Sequence, residues 1–272
     1  MIDTTGYAFV TGGGSGIGKA CSLLFAEQGV RGLLVADLNL ETARNTVAEA
    51  TAAATNPAFR AEAIEIDVSL EASVKQGVEH MVKSFGRIDY CVHSAGIPLR
   101  SYAPVASASL LEFQDLNRVH VQGTFLVTGA VSAAMASQEP KPVDASSPER
   151  GVVRGSIVNM ASAAALITPP NMVQYSAAKF AVHGITKTAA IENAPLGIRV
   201  NCLCPAWTET PLLRQTMDAI PPLNDQTLLN GIPMQRIGTA KEVAQSAIFL
   251  CSTWSSFITG LALPIDGGMT IF

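Results

Sequence analysis

Three side chains in the second half of the chain could together move a proton to or from an oxygen atom. Tyr175 and Lys179 are four residues apart in a helix-like segment, so both side chains would lie on one helix face. A free phenol has a pKa near ~10, and a fixed cation nearby favours its ionised form. Ser162 follows an apolar, strand-like run and could hydrogen-bond the same oxygen. These residue types predict acid–base chemistry at an alcohol or a carbonyl group.

A glycine-rich turn near the start of the chain predicts a dinucleotide site. The turn, Thr11–Gly18, follows an apolar run and opens a helical segment. Glycines let the backbone approach a pyrophosphate closely, and the free N–H groups of a helix start attract its charge. The residues of the turn that we predict to bind the cofactor are Gly12, Gly14, Ser15, Gly16, Ile17 and Gly18.

Asp37 predicts which dinucleotide is bound. It follows the next strand-like run, nineteen residues after Gly18, and this spacing suits an acid that binds the adenosine ribose hydroxyls. A carboxylate there would repel the 2′-phosphate of NADP, and no basic residue follows it in Leu38-Asn39. NAD is therefore the predicted cofactor, and NADP is the less favoured alternative.

The segments that must position these residues alternate between strand and helix. Nearly continuous apolar strands separated by helices are typical of a parallel sheet covered on both faces, so we predict an α/β, Rossmann-type doubly wound sheet of about seven strands. The predicted strands are Tyr7–Val10, Gly32–Ala36, Ala63–Ile66, Ile88–His93, Ser156–Met160, Arg199–Cys202 and Ala262–Ile265. The predicted helices are Ile17–Gln28, Leu40–Ala53, Leu70–Phe85, Leu110–Ala136, Val173–Ala194 and Ala240–Leu250.

Two stretches are expected to be irregular, and neither divides the chain. Gln138–Arg154 is rich in proline, serine and charged residues, which predicts a surface loop. The proline-rich residues 206–235, called the covering segment below, are expected to cover the substrate. No internal repeat or break in composition separates two domains, so residues 1–272 are predicted to form one dinucleotide-binding domain.

Composition narrows the range of partners and compartments. The chain is 48% hydrophobic and 15% charged, with a net charge of −4. Lys and Arg form no stripe, and no uninterrupted apolar run reaches about 18–20 residues, so nucleic acid and membrane are not expected as partners. The low share of charge predicts surface hidden in a homo-oligomer. Five cysteines without zinc spacing, and no visible signal peptide, predict a cytoplasmic protein without a metal site.

In combination these motifs resemble those of the short-chain dehydrogenase/reductase family, in its compact single-domain branch. The resemblance runs from residue 6 to the end of the chain and implies a seven-stranded Rossmann sheet, NAD(P), and a homotetramer or homodimer. The matching positions are Thr11–Gly18, Asp37, Asp67-Val68, Ser94-Ala95-Gly96, Ser162, Tyr175, Lys179, Pro205 and Asp266-Gly267-Gly268.

The resemblance also implies a role for each matching residue. Tyr175 would be the general acid/base, Lys179 would bind the nicotinamide ribose and lower the pKa of Tyr175, and Ser162 would hold the substrate oxygen. Asp67 and Val68 would contact the adenine. The other positions implied to line the cofactor are Leu38, Ser94, Ala95, Gly96, Pro205, Ala206, Thr208 and Thr210, with Thr210 near the carboxamide or the phosphates.

Three positions depart from the family pattern. His93-Ser94 replaces the usual Asn-Asn, and Pro205-Ala206 replaces Pro-Gly, which would narrow the pocket slightly. His120 takes the place of an asparagine that holds a water in the family's proton relay. His120 could hold that water, pass the proton on itself or be purely structural, and Asn117, three residues earlier, is a weaker substitute.

The motifs together predict an NAD(H)-dependent oxidoreductase that interconverts a secondary alcohol and a ketone. One alternative is a non-redox enzyme on the same scaffold, such as an epimerase, a dehydratase or a cyclase. The other is a dinucleotide-sensing regulator without turnover. The substrate is expected to be apolar or aromatic, because the residues expected to face it are Ala163–Leu166, Trp207, Leu212, Leu213 and Met217.

Overall fold

Parallel strands form the central sheet of the computed structural model, which describes residues 4–220 and 223–271. The strands are Tyr7–Thr11 (β1), Gly32–Asp37 (β2), Arg60–Glu65 (β3), Tyr90–His93 (β4), Gly155–Met160 (β5), Ile198–Pro205 (β6) and Ala262–Ile265 (β7). Their order across the sheet is β3-β2-β1-β4-β5-β6-β7, and neighbouring strands are parallel. The predicted Rossmann-type sheet is confirmed. Its order reverses between β1 and β4, which is where such sheets bind ligands.

Helices cover both faces of this sheet. They are Gly16–Glu27 (α1), Leu40–Ala53 (α2), Glu71–Phe85 (α3), Leu110–Leu116 (α4), Gly123–Ala136 (α5), Val173–Asn193 (α6), Pro211–Ala219 (α7), Asp225–Leu229 (α8) and Ala240–Cys251 (α9). One core joins α1, α2 and α9 to the sheet around the buried Phe25 and Val35. A second core joins α3, α5 and α6 to the other face around Phe9 and Met81. Near-continuous burial of the central strands explains why they could be found from apolar runs.

The edge strand β3 begins earlier than predicted, at Arg60 instead of Ala63. It pairs only with β2, so part of its surface faces solvent and it carries Arg60, Glu62 and Glu65 among its apolar residues. A search for apolar runs misses such a strand. The predicted loop Gln138–Arg154 is also more regular than expected, because two short strands pair there in antiparallel fashion, Lys141–Pro142 with Val152–Val153.

The long helix predicted at Leu110–Ala136 contains a π turn. Asn117–Gln122 separates α4 from α5, and the N–H of Gly123 bonds to the carbonyl of Arg118, five residues back. The helix Leu110–Ala136, with its π turn included, is 27 residues long and apolar enough, by length and composition alone, to cross a membrane. It nevertheless buries Val127 and Val131 in the core between α3 and α6, as the central helix of an α/β domain does.

The covering segment contains α7 and α8. Thr210 caps α7, since its Oγ1 accepts the N–H of Leu213 at 3.2 Å, and Pro211 opens the helix. The guanidinium of Arg214 pairs with Glu209 and, at 3.1 Å, with Asp225, which ties the two helices together. Residues 221 and 222 of the segment lie outside the described residues.

Candidate active site

A cleft of about 290 Å³ opens at the carboxyl ends of the strands. Its walls come from the glycine turn after β1, the end of β2, the loops after β4, β5 and β6, the π turn, one side of α6, the covering segment and the tail after β7. All four predicted catalytic residues and most of the predicted cofactor residues line it. They are Gly12, Ser15, Gly16, Ile17, Asp37, Ser94, Ala95, Gly96, His120, Ser162, Tyr175, Lys179, Pro205, Ala206, Thr208 and Thr210.

The glycine turn leaves room that side chains would fill. A Cβ at Gly12, whose φ is +66°, would lie 2.6 Å from the backbone nitrogen of Ala95. A Cβ at Gly18 would lie 2.1 Å from the carbonyl oxygen of Gly12, so Gly18 serves close packing behind the cleft. The N-cap residue of α1, Ser15, makes no side-chain capping bond, which leaves the first N–H groups of the helix available to an anion. This cradle fits the pyrophosphate of a dinucleotide.

The carboxylate of Asp37 is held in place by the backbone. Its Oδ2 accepts the N–H of Gly14 at 2.8 Å, and its Oδ1 accepts the N–H of Asn39 at 2.9 Å. Gly14 therefore lies behind the cleft wall and orients the acid instead of lining the cleft. Leu38 points into solvent and does not line the cleft either. Asp37 is thus placed to accept hydrogen bonds from ribose hydroxyls at this end of the cleft.

The pair implied to contact adenine does not line the cleft. The Oδ1 of Asp67 accepts the backbone N–H of Ser69 at 2.9 Å and its hydroxyl at 2.7 Å. Val68 is buried against Gly123. A Cβ added at Gly123 would lie 3.0 Å from the Cγ2 of Val68. In this structure both residues shape the loop after β3, and their proposed contact with the adenine stays a prediction.

Ser162, Tyr175 and Lys179 come together at the middle of the cleft. The hydroxyl of Ser162 donates to the carbonyl of Pro205 at 3.5 Å and accepts the N–H of Ala164 at 3.2 Å, and it lies close enough to the phenol of Tyr175 to favour its ionised form. The Nζ of Lys179 lies 5.5 Å from the centre of the Tyr175 ring and donates to the carbonyl of Met160 at 3.0 Å. The phenol, the ammonium and the serine hydroxyl therefore share one site, as the sequence predicts.

Burial sets the protonation of this site. It raises the pKa of Tyr175, and the nearby hydroxyl of Ser162 only partly opposes that rise. The sequence predicts a lowering by Lys179 together with the positive charge of an oxidised nicotinamide, and that lowering stays a prediction for the cofactor-bound site. Burial also lowers the pKa of Lys179 to about 8, while Cys204 and Cys202 act in the other direction. At neutral pH the phenol is therefore protonated and the lysine is an ammonium.

His120 lies in the π turn and lines the cleft as a neutral imidazole. Its Nε2 is 3.1 Å from the carbonyl oxygen of Ile97, and its ring meets that of Tyr175 edge-on at a centroid distance of 5.8 Å. Burial, followed by the charge of Lys179, holds the pKa of His120 well below its usual range. Asn117 does not line the cleft, since its amide donates to the carbonyl of Phe113. Contact with Ile97 favours a positioning role for His120 over a proton-carrying one.

The chain is similar in sequence to a known enzyme family over nearly its whole length. The family model for enoyl-(acyl carrier protein) reductases matches residues 12–270. Short-chain dehydrogenase srdC of Neurospora crassa is 50% identical over 270 residues, which cover 99% of this chain and 98% of that protein. The chain belongs to the short-chain dehydrogenase/reductase family. It is therefore an oxidoreductase of a family whose members use nicotinamide dinucleotides.

Two further short-chain dehydrogenases/reductases are similar along nearly their whole length. The 2,5-dichloro-2,5-cyclohexadiene-1,4-diol dehydrogenase of Sphingobium indicum is 38% identical over 275 residues, covering 99% of each chain. The crystal structure of a 3-ketoacyl-(acyl-carrier-protein) reductase from Brucella melitensis, complexed with NADH, superposes with a TM-score of 0.82 at 32% identity. That match covers 97% of this chain and 98% of the other.

Several residues of this dehydrogenase/reductase site were not found from the sequence. Met172 lies one helical turn before Tyr175. Its spacing from the Tyr175–Lys179 pair could have indicated that it lines the cleft. Met269 follows the Asp266-Gly267-Gly268 motif, yet no local pattern shows that the tail returns to the cleft. Met217 was wrongly expected to face the substrate, since its sulfur accepts from Arg214 outside the cleft. The additional lining residues are Leu99, Met160, Ala161, Ile167, Pro169, Met172, Thr216 and Met269.

Proposed function

We propose that this protein is an NAD(H)-dependent oxidoreductase that interconverts a secondary alcohol and a ketone. The observation that carries the proposal is that Ser162, Tyr175 and Lys179 line one cleft, with the Nζ of Lys179 5.5 Å from the centre of the Tyr175 ring. The glycine cradle and Asp37 at the other end of this cleft support a bound dinucleotide. A panel of alcohols and ketones tests the proposal when absorbance change is followed with NAD(H) and NADP(H) in parallel.

Each residue of the catalytic trio, which consists of Ser162, Tyr175 and Lys179, has a separate part in the chemistry. When bound, the nicotinamide ring supplies or accepts the hydride. The hydroxyls of Ser162 and Tyr175 hold the substrate oxygen, and the protonated phenol gives its proton to that oxygen in ketone reduction. In alcohol oxidation the same phenol oxygen takes the proton back. The ammonium of Lys179 stabilises the phenolate that forms, because opposite charges this close and this desolvated attract strongly.

The two alternative functions make different demands on the trio. A dinucleotide-sensing regulator has no need of an acid, a cation and a second hydroxyl converging on one point. A non-redox enzyme on this scaffold would use them but would return the cofactor to its starting state. Net formation or consumption of NADH, one equivalent per product molecule, therefore distinguishes the proposed oxidoreductase from both alternatives.

The position of Asp37 supports NAD over NADP. Its carboxylate is fixed by two backbone N–H groups at the ribose end of the cleft and would repel a 2′-phosphate. The side chain that follows, Leu38, offers no positive charge. The similar Brucella melitensis reductase was crystallised with NADH, which agrees with this choice.

Asp37→Ala is expected to raise KM for NADH by about tenfold and to lower the preference for NADH over NADPH by about 10²-fold. The ribose hydroxyls lose their acceptor, and the 2′-phosphate loses a repelling charge. Initial rates with both cofactors at a saturating ketone concentration measure the change. Asp115→Ala, at a partly exposed position of α4 outside the cleft, is the matched control and should leave the preference unchanged. Unaltered discrimination in Asp37→Ala would place cofactor selection in another residue.

The substrate side of the cleft supports an uncharged, largely apolar substrate. Leu99, Met172 and Leu213 are each at least 95% buried and line it. Among the residues that the structure describes, the charged side chains that line the cleft are Asp37, at the ribose end, and Lys179, whose ammonium is needed to stabilise the Tyr175 phenolate. A substrate carboxylate would lose its hydration here without gaining a counter-ion. The similar Sphingobium indicum enzyme is named for a six-membered ring diol, and we propose a ring-bearing alcohol or ketone for this chain as well.

A matched pair of ketones tests this substrate class. Cyclohexanone is expected to show a kcat/KM at least ~10²-fold above that of 4-oxocyclohexanecarboxylate, because the second buries an unpaired charge. Leu212→Lys, which adds a cation at the cleft rim, should narrow that ratio by about tenfold, whereas Leu212→Met should not. Equal use of both ketones by the wild-type protein would contradict an uncharged substrate while leaving the redox chemistry intact.

A further inference from the structure

A row of polar side chains crosses the interior of the sheet just beneath the cleft. Thr11 on β1, His93 on β4, Asn159 on β5 and Cys202 on β6 are successive partners in register, so their side chains share one face. Each is at most 2% exposed. The next row toward the amino ends is apolar, as the cores of such sheets are, and consists of Phe9, Cys91, Ile157 and Val200.

Both amide atoms of Asn159 have a hydrogen-bond partner, whereas one ring nitrogen of His93 has none among the described residues. Asn159 accepts from Thr128 on α5 at 3.2 Å and donates to Thr186 on α6 at 3.1 Å. The Nδ1 of His93 lies 2.7 Å from the hydroxyl oxygen of Thr11. The Nε2 of His93 is buried and has no hydrogen-bond partner among the residues that the structure describes. A buried ring nitrogen without a hydrogen-bond partner requires another polar group nearby.

Lys179 faces the same region from α6. One of its three N–H groups donates to the carbonyl of Met160, the residue that follows Asn159 on β5. Its charge acts on His93 and also on His120, which approaches from the π turn. The other titratable groups that face the ammonium are Tyr175 on α6 and Cys202 and Cys204 on β6. The ammonium and the His93 imidazole are therefore two polar groups with hydrogen-bonding capacity left over, at the carboxyl ends of the neighbouring strands β4 and β5.

We propose that one internal water molecule bridges the Nε2 of His93 and the Nζ of Lys179, and that His93 is a positioning residue for the ammonium. The role rests on the oxidoreductase function proposed above. Water suits this place because it accepts an N–H of the ammonium and can either donate to or accept from the imidazole, whichever nitrogen of His93 carries the proton. Burial, then the field of Lys179, lowers the pKa of His93 to about 3, so the ring stays neutral.

The bridge predicts a specific change in the pH profile. A water oxygen that accepts from the ammonium favours its charged form, so loss of the bridge lowers the pKa of Lys179 below its value of about 8. Ketone reduction requires a protonated Tyr175 and a charged Lys179, so its rate falls as the pH rises through the pKa of the lysine. In His93→Leu this fall should begin about one pH unit earlier, with kcat/KM about tenfold lower at pH 8.5.

Two companion variants separate positioning from stability. His93→Asn keeps a polar group at the site and should restore most of the wild-type profile. Thr128→Val removes the hydrogen bond from α5 to Asn159 and leaves His93 and Lys179 in place, so it should lower Tm without moving the fall in rate. An unshifted profile in His93→Leu, an equal shift in Thr128→Val, or identical profiles for His93→Asn and His93→Leu would each overturn the proposal.

A crystal structure of the wild-type protein tests the bridge without activity. It should show one water within hydrogen-bond distance of both the Nε2 of His93 and the Nζ of Lys179. Direct contact between the two side chains, or a dry gap, would overturn the bridge even if the enzyme is active. Lack of turnover with any alcohol or ketone would contradict the proposed function, and the crystal structure would still decide on the bridge.

Discussion

Tyr175→Phe is expected to lower kcat by ~10³-fold or more while the Kd for NADH stays within about twofold of its wild-type value. The substitution removes one oxygen atom, and with it the proton that the substrate oxygen receives. The aromatic ring, its edge-on contact with His120 and the place of Lys179 beside it all remain. Steady-state ketone reduction gives kcat, and fluorescence titration of the free protein gives the Kd for NADH.

The matched control for this loss is Tyr102→Phe. Tyr102 also loses a phenol oxygen in that variant, but its side chain is partly exposed and does not line the cleft. Its kcat should equal that of the wild-type protein. If Tyr175→Phe kept more than about a tenth of the wild-type kcat, another group would be the acid.

Lys179→Met is expected to lower kcat/KM by ~10³-fold and to remove the fall in ketone reduction above pH 8. Methionine fills a similar volume, but no ammonium remains to stabilise the phenolate or to bind a ribose hydroxyl. The wild-type rate should fall as the pH rises through about 8, where the buried lysine loses its proton. In the variant, the ammonium whose deprotonation produces the fall is absent.

Stability distinguishes this loss of activity from unfolding. Burial lowers the pKa of Lys179, so the folded state disfavours its charge. The unfolding free energy of the wild-type protein therefore rises with pH above about 8, toward the ordinary lysine range. At pH 7 we expect Lys179→Met to be at least as stable as the wild-type protein. The control is Lys187→Met, an exposed position on the same helix, which should change neither activity nor pH profile. A wild-type pH profile in Lys179→Met would contradict the role of the ammonium.

The parts of this protein that follow local rules could be predicted from its sequence. The glycine turn, Asp37 and the Tyr175–Lys179 pair are each defined by spacing within one element, and central strands are apolar because both faces are buried. The sequence also fixes the end of the sheet at which Ser162 lies, since it follows β5. These features predict from the sequence that Ser162, Tyr175 and Lys179 share one site.

Features that depend on contacts between distant segments could not be predicted. Met269 reaches the cleft because Asp266 accepts from the N–H of Gly268 at 2.9 Å and from the N–H of Thr270 at 2.9 Å, which curls the tail back. The net pKa shift of Tyr175 depends on how deeply the folded chain buries it. The predicted homo-oligomer, the cytoplasmic location and the lack of nucleic-acid or membrane partners stay predictions.

The π turn gives the rod from Leu110 to Ala136 two different orientations. It holds one residue more than an α-helical turn, and each residue turns the helix by about 100°, so α4 and α5 are out of phase by about that angle. The offset lets Glu112 accept from the loop after β4, while Gly123 abuts Val68 in the loop after β3. His120 enters the cleft from between them. In a straight α-helix of the same sequence, either Glu112 or Gly123 would point away from its contact. The π turn therefore lets a single helix pack against two walls of the cleft.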